Sequence, residues 1–183
     1  MKYIRDNVNT SEKITINHYR RLLEDVPNQI CYAQPIFLGA SIAEHYKNFH
    51  NIDDLMLCSN IIKDLYPDFY NTWIYTLQTN LFYPYNMVSF PKPIYDDYID
   101  KMTNILTTFL NTIGVSNYDD MMKRVESIPT YTQKNNMRNT DKKYQARLVS
   151  FLAERISSCY INDIIIKGNL CFPANVKKFE GAW

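Results

Sequence analysis

Glycine is the residue whose scarcity most constrains this chain. The sequence holds 4 glycines in 183 residues, at Gly39, Gly114, Gly168 and Gly181. Average chains carry roughly 7% glycine, because tight turns and close approaches of the backbone to a ligand favour a residue without a Cβ. Neither G-x-G-x-x-G nor G-x-x-x-x-G-K can be written from glycines so far apart. The sequence therefore excludes the glycine-rich loops of dinucleotide-binding and P-loop folds, and side chains must hold any phosphate.

Length and charge narrow the class of protein further. We expect a single domain over 1–183, with a polar arm at 1–13 and a tail at 169–183, because this length supports one hydrophobic core. The 20 Lys and Arg against 19 Asp and Glu leave a net charge of +1. So balanced a chain lacks the basic surface that nucleic acids need, and no nucleic-acid partner is expected.

The same composition bears on location. No apolar run approaches the roughly 18 residues of a membrane span, and no apolar signal segment opens the chain. The four cysteines form no C-x-x-C pair. These features predict a cytoplasmic protein with reduced thiols and no transmembrane segment.

Apolar periodicity and cap signals predict about six helices. In the first half they occupy 41–49, 51–66 and 68–78, where Ser41 and Glu44 form a capping box and Pro67 separates two helices. The clearest amphipathic helix runs from Ile94 to Ile113 and ends at Gly114. A short helix is centred on Met121, and the last long one is expected from Asp141 to about Tyr160.

Four segments are rich in β-forming residues. They are Ile14–Ile16, Ile30–Leu38 with a break at Pro35, Leu81–Phe90, and Ile161–Lys167. The region from 133 to 140 is polar and predicts a surface loop, and the tail shows no period. Helices mixed with short strands indicate an α/β or α+β arrangement with a helix-rich C-terminal half.

The segment His18-Tyr19-Arg20-Arg21 directly follows the first predicted strand. Ligands of open α/β sheets bind outside the carboxyl ends of strands, where two guanidinium groups can hold a diphosphate. His18 titrates near neutral pH and can move a proton or bind a metal. Alternatively, the two arginines are simply solvated or paired with the acidic side chains just after them.

A second cluster of donor groups lies where two predicted helices meet. His45 and His50 are five residues apart, which is not the same-face spacing of a helical metal pair, and Asp53 and Asp54 follow. A metal site is one interpretation. Capping and packing at the junction are the favoured one, since zinc sites have tighter and recurring spacings.

The last long helix carries an arginine where an apolar side chain is expected. Helical projection places Arg155 in the middle of the apolar stripe and Glu154 well off it. A buried cation must be paired, so Arg155 either meets a core carboxylate or lines a cleft and binds an anionic ligand. Glu154 at the flank can act as a general base, or it is a solvated surface acid.

Asn86 and Met87 interrupt the β-rich stretch Leu81–Phe90. Asparagine is depleted in strands and is costly when buried without a hydrogen bond. Asn86 therefore either orients a substrate hydroxyl or stabilises a turn.

Five motifs follow one another in a fixed order along most of the chain, from Ile14 to Lys167. They are INHYRRLL, EHYKNFHNIDDL, IIKDLYPDFYNTW, YNMVSFPKPIYDDYIDKMTNIL and RLVSFLAERISSCYI. In this order they resemble a bacterial family, a domain of unknown function associated with capsular and exopolysaccharide biosynthesis. Its members are regarded as glycosyltransferases of the GT-A kind.

The resemblance implies a GT-A-like α/β fold with a small, mostly parallel sheet. It implies a glycosyltransferase of the hexosyltransferase type that moves a sugar from a nucleotide sugar to a saccharide acceptor in surface polysaccharide biosynthesis. His18 and Glu154 are then the candidate catalytic residues. The implied substrate-binding residues are Tyr19, Arg20, Arg21, Glu44, Tyr46, His50, Asp53, Asn86, Met87 and Arg155.

A transferase must neutralise the leaving diphosphate, and the chain has no D-x-D at a strand end, so Arg20 and Arg21 would take that role; a divalent Mn or Mg ion is left open as a cofactor. Two features depart from the family pattern: the polar region from 133 to 140 is longer than expected, and the N-terminal half is short. Only seventeen residues precede His18, fewer than in most members, so we expect a shortened N-terminal half. The alternative function is then a non-catalytic, reduced glycosyltransferase-like module that binds saccharide or another protein.

Overall fold

A computed structural model describes residues 3–5, 30–86, 88–133, 140–169, 171–174 and 176–178. Within these ranges the chain is mostly helical, with eight α-helices and seven short strands. The helices are α1 (Ile42–Phe49), α2 (Ile52–Leu65), α3 (Pro67–Gln78), α4 (Lys92–Thr112), α5 (Tyr118–Ser127), α6 (Pro129–Thr132), α7 (Lys142–Gln145) and α8 (Leu148–Ile166). The strands are β1 (Tyr3–Arg5), β2 (Ile30–Ala33), β3 (Ile36–Phe37), β4 (Leu81–Phe82), β5 (Val88–Ser89), β6 (Cys171–Ala174) and β7 (Val176–Lys178).

Local signals in the sequence set most helix ends. The backbone N–H of Glu44 donates to the Ser41 side chain at 3.2 Å, which caps α1 as predicted. Pro67 is the first residue of α3, a position where its missing N–H costs nothing. Gly114 follows α4 with φ +67°, a conformation that glycine adopts without strain. The first four predicted helices and the short one around Met121 are confirmed.

Helix α8 is the centre of the fold. It packs against α2, α3 and α4, and every residue from Arg155 to Ile164 is buried. A helix buried on all sides need not be amphipathic, and polar residues on it need partners. Thr72 of α3 donates to Asp163 at 3.1 Å, and Asn162 donates to Thr76 of α3 at 3.0 Å.

This central position explains the largest error in the predicted elements. The predicted strand Ile161–Lys167 is wrong, because α8 continues through it to Ile166, and Gly168 follows the helix end with φ +82°. The run of isoleucines favours a strand locally, but tertiary packing outweighs that weak preference.

Asp141 starts the four-residue helix α7 by accepting from the Lys143 N–H at 3.0 Å, and α8 begins separately at Leu148.

The mostly parallel sheet is also wrong for the strands that the structure describes. The largest sheet has the order β5-β2-β6, with β2 parallel to β6 (Ile30 opposite Cys171) and antiparallel to β5. The pairs β3–β4 and β1–β7 are both antiparallel. The tail, in which no element was expected, contributes β6 and β7.

The predicted strand Leu81–Phe90 is two strands separated by a turn. After β4 the chain forms a 3-10 turn over Pro84–Asn86, and it returns as β5. Proline cannot donate to a sheet, and Asn86 has φ +50°, which no strand accepts. This turn packs against α8. The predicted strand Ile14–Ile16 lies outside the described residues.

Candidate functional site

Arg155 carries a guanidinium group into the interior beside α1. Helix α8 places its side chain against α1, and only 2% of the residue is exposed. Nη1 donates to the Phe151 carbonyl at 3.1 Å and to Oε2 of Glu154 at 3.2 Å. Nη2 lies 3.3 Å from Nδ1 of His45 on α1. The sequence-based prediction that Arg155 lies within the buried stripe is confirmed.

Aromatic rings cover the rest of this guanidinium. Its central carbon lies 5.2 Å from the ring centroid of Tyr46 and 4.7 Å from that of Phe82. Burial lowers the pKa of Arg155, while the neighbouring Glu154 opposes that change. The charge is therefore stabilised by ring faces and by a carboxylate whose side chain is 25% exposed, not by an acid buried in the core. Nε has no hydrogen-bond partner among the described residues.

His45 is held in one tautomer by this arrangement. Burial lowers its pKa, and the positive charge of Arg155 lowers it further, so the imidazole is neutral near pH 7. Arginine can only donate, so Nδ1 accepts and the proton lies on Nε2. The ring also stacks on Phe49 at 4.6 Å. This role of His45 could not be predicted from the sequence, because His45 and Arg155, 110 positions apart in the chain, meet only in the folded molecule.

Glu154 lies on α8 between two pairs of polar residues, each of which joins α8 to another element. On one side is Arg155 with its partner His45. On the other, one turn along the helix, Ser157 donates to Oδ1 of Asn86 at 2.7 Å. We call these five residues, His45, Asn86, Glu154, Arg155 and Ser157, the α8 strip. In it the partly exposed Glu154 carboxylate lies beside the Arg155 guanidinium and one helical turn from the hydrogen bond between Ser157 and Asn86, which is an arrangement suited to binding a hydroxyl group and removing its proton.

The other predicted site residues are divided between the core and the surface. Tyr46 is fully buried under Arg155, and its ring lies 4.9 Å from that of buried His50. Glu44 and Asp53 are exposed in the first turns of α1 and α2. These residues are not brought into one cluster with Glu154, although Tyr46 supports its partner Arg155.

The buried acid near the start of α2 is Asp54, not Asp53. Its Oδ1 accepts from the Tyr131 hydroxyl at 2.8 Å and from Arg124 at 3.3 Å. Burial raises the pKa of Asp54, although both partners act against that shift. This cluster ties α2 to α5 and α6, and the sequence alone does not distinguish the two neighbouring aspartates.

Several predicted residues lie outside the described part of the chain. They are His18, Tyr19, Arg20, Arg21 and Met87. Within the described ranges, no group of three or more His, Cys, Asp or Glu side chains is arranged to hold a metal ion. None of the helices seen there is long and apolar enough to cross a membrane.

Comparisons with known proteins agree with this architecture. A family model described as "Domain of unknown function (DUF4422)" matches residues 27–129, which include His45 and Asn86 but not Glu154. The solved structure titled "WbbM bifunctional glycosytransferase apo structure" superposes with a TM-score of 0.65 at 18% sequence identity. The match covers 92% of this chain and 28% of that chain, so the two share a fold over part of the larger protein. No curated protein matches the sequence.

Proposed function

Because the chain belongs to the DUF4422 family, and because its fold is that of one part of a bifunctional glycosyltransferase, we propose that it is itself a glycosyltransferase. It transfers a sugar from a nucleotide sugar to a saccharide acceptor during surface polysaccharide biosynthesis. The match covers 28% of the larger chain, so the activity of that whole protein is not carried over on the match alone. The proposal rests on the residues of the present chain as well.

One observation carries the proposal: the Glu154 carboxylate is fixed beside a buried cation while its side chain stays 25% exposed. Surface glutamates are usually mobile, and holding a long side chain in one geometry costs entropy. Here Arg155 is itself immobilised by Tyr46, Phe82 and His45. A carboxylate positioned in this way and open to solvent is what a general base requires.

The proposed reaction is a displacement at the anomeric carbon of the donor sugar. The acceptor hydroxyl oxygen forms a bond to that carbon, and the bond from the carbon to the diphosphate oxygen breaks. The nucleoside diphosphate leaves with the electron pair, and the hydroxyl proton passes to Glu154. His45 is neutral with its proton on Nε2, so it acts as a hydrogen-bond donor beside the base.

The leaving diphosphate must be neutralised as its negative charge grows. We assign this role to Arg20 and Arg21, on their sequence position after a predicted strand. His18 is proposed as a second proton acceptor near that group. The described residues do not fit a divalent metal, since no three acidic, histidine or cysteine side chains converge there.

Isothermal titration calorimetry with a panel of UDP, GDP and dTDP sugars tests this function. We predict that the wild-type chain binds at least one of them and that Arg20→Ala weakens that binding about tenfold or more. The reason is that hydrogen bonds to charged groups contribute about 1.5–3 kcal/mol. Lys92→Ala is the matched control, because Lys92 is 82% exposed and should leave the affinity unchanged.

Two results would change the assignment. Equal affinity of Arg20→Ala and wild type for the bound nucleotide sugar would remove Arg20 from the site. If the wild type binds none of the panel, with or without manganese, the chain is the non-catalytic module that binds saccharide or protein.

A further inference from the structure

Asn86 has an unusual backbone conformation at the edge of the α8 strip. It is the single non-glycine residue with positive φ in the part of the chain that the structure describes, at +50°. Asparagine tolerates this region better than most residues, but it still costs energy. Such residues concentrate at binding sites, where the surrounding structure holds them in place.

Two buried hydroxyl groups hold the Asn86 side chain. Ser157 Oγ lies 2.7 Å from Asn86 Oδ1, and the Tyr98 hydroxyl lies 2.7 Å from Ser157 Oγ. A serine has one proton to donate, and the amide oxygen can only accept. Ser157 therefore gives its proton to Asn86, and Tyr98 gives its own to Ser157. Both donors are buried, with Tyr98 5% and Ser157 1% exposed.

The Asn86 amide oxygen accepts from Ser157, which leaves the NH2 group of the amide with its two donors. This NH2 group has no hydrogen-bond partner among the described residues, and Asn86 is exposed. Glu154 stands one helical turn before Ser157 and offers oxygen acceptors. A sugar hydroxyl both donates and accepts, so a neighbouring amide donor and carboxylate acceptor complement it.

We propose that the Asn86 amide donates to a hydroxyl oxygen of the acceptor saccharide while Glu154 accepts the proton of the same hydroxyl. Tyr98 and Ser157 are positioning residues that act through Asn86. This inference rests on the proposed function, because it names the group that the transferase site binds. It leaves the second lone pair of the hydroxyl oxygen available to attack the donor sugar.

The variant Asn86→Asp tests the donor directly. Aspartate has the same shape, tolerates the same backbone, and can still accept from Ser157, but it replaces the NH2 group with an oxygen. Binding of a panel of methyl glycosides is measured by saturation-transfer NMR in the presence of UDP. We expect about tenfold weaker binding of the glycoside, with the nucleotide-sugar affinity within twofold of wild type. Asn60→Asp, exposed on α2, is the matched control and should change neither.

A second variant tests the relay without any ligand. In Ser157→Ala the Asn86 amide loses its anchor, so the order parameter of its side-chain NH2 group in ¹⁵N relaxation should fall. A rigid amide in this variant overturns the positioning role of Ser157. That readout does not depend on substrate binding.

The outcomes separate the inference from the proposed function. If the wild type binds nucleotide sugars but no methyl glycoside, or if Asn86→Asp binds both as wild type does, the inference is wrong and the function stands. If the wild type binds no nucleotide sugar and no glycoside, the proposed function is wrong, and the inference fails with it.

Discussion

At the scale of single residues, Arg155 shows how a charge can be kept in the interior without a buried acid. Two ring faces, a backbone carbonyl, an imidazole nitrogen and a partly exposed carboxylate share its stabilisation. An uncompensated buried charge would cost several kcal/mol, so these contacts act together. The consequence for the site is that Glu154 and His45 are both held by one cation.

His45 provides a prediction on pH. Its pKa in the folded chain is lowered, so the native state binds a proton less readily than the unfolded chain, and stability is lost as pH falls below the ordinary histidine range. His45→Asn keeps an acceptor for Arg155 but does not titrate. The charged groups that face His45 are Arg155 and, through it, Glu154.

Urea unfolding of both proteins from about pH 8 to about pH 5 checks this sign. The stability advantage of wild type over His45→Asn should shrink as pH falls. An advantage that grows on acidification would mean that His45 is held as the cation. A ¹⁵N spectrum of wild type should show the proton on Nε2 near pH 7, and a proton on Nδ1 would contradict the tautomer.

At the scale of elements, the helices differ in whether their own sequence was enough to predict them, and the end of α8 is the case where it was not. Helices with a cap, a proline or a glycine at their ends were predictable, because those residues act locally, as Ser41, Pro67 and Gly114 do. The helical state of the residues after Tyr160 was not predictable, because it depends on contacts with α3, which lies far from them in the sequence. Local β preference is weak when burial on every side favours a helix.

Alanine substitutions in this run distinguish the two conformations. Ile164 and Ile166 are two apart, so in a strand they would share one face, whereas in α8 they point to nearly opposite sides. Ile164 is 5% exposed and Ile166 is 61% exposed. We predict that Ile164→Ala lowers the free energy of unfolding by about 2–5 kcal/mol. Ile166→Ala should change it by about 0.5 kcal/mol or less.

Chemical denaturation of both variants provides the measurement. Similar losses in the free energy of unfolding for the two variants would mean that Ile164 and Ile166 share one buried face, as in a strand, and would contradict the helix. Ile166→Ala is the internal control, because both substitutions remove the same atoms and Ile166 is exposed.

At the scale of the whole molecule, the scarcity of glycine agrees with a fold of helices around α8 that needs few special turns. Two of the described glycines follow helix ends, at Gly114 and Gly168. The ordered motifs predicted a domain of unknown function, and the family model matches one over residues 27–129, a range that contains three of the five motifs. The pairing of strands in the sheet was not predictable, because β6, which follows α8, pairs with β2 from near the other end of the sequence. The meeting of His45 with Arg155 was unpredictable for the same reason.

In the proposed transferase reaction Glu154, fixed by Arg155, removes the proton of the acceptor hydroxyl. The most direct test measures release of nucleoside diphosphate from the bound nucleotide sugar, with a panel of methyl glycosides or water as acceptor. For Glu154→Gln, which keeps the shape but cannot take a proton, we predict a kcat about 10²–10⁴-fold lower with unchanged nucleotide-sugar affinity. Glu126→Gln, with Glu126 51% exposed on α5, should retain wild-type turnover. Wild-type turnover in Glu154→Gln would show that Glu154 does not take the proton of the acceptor hydroxyl.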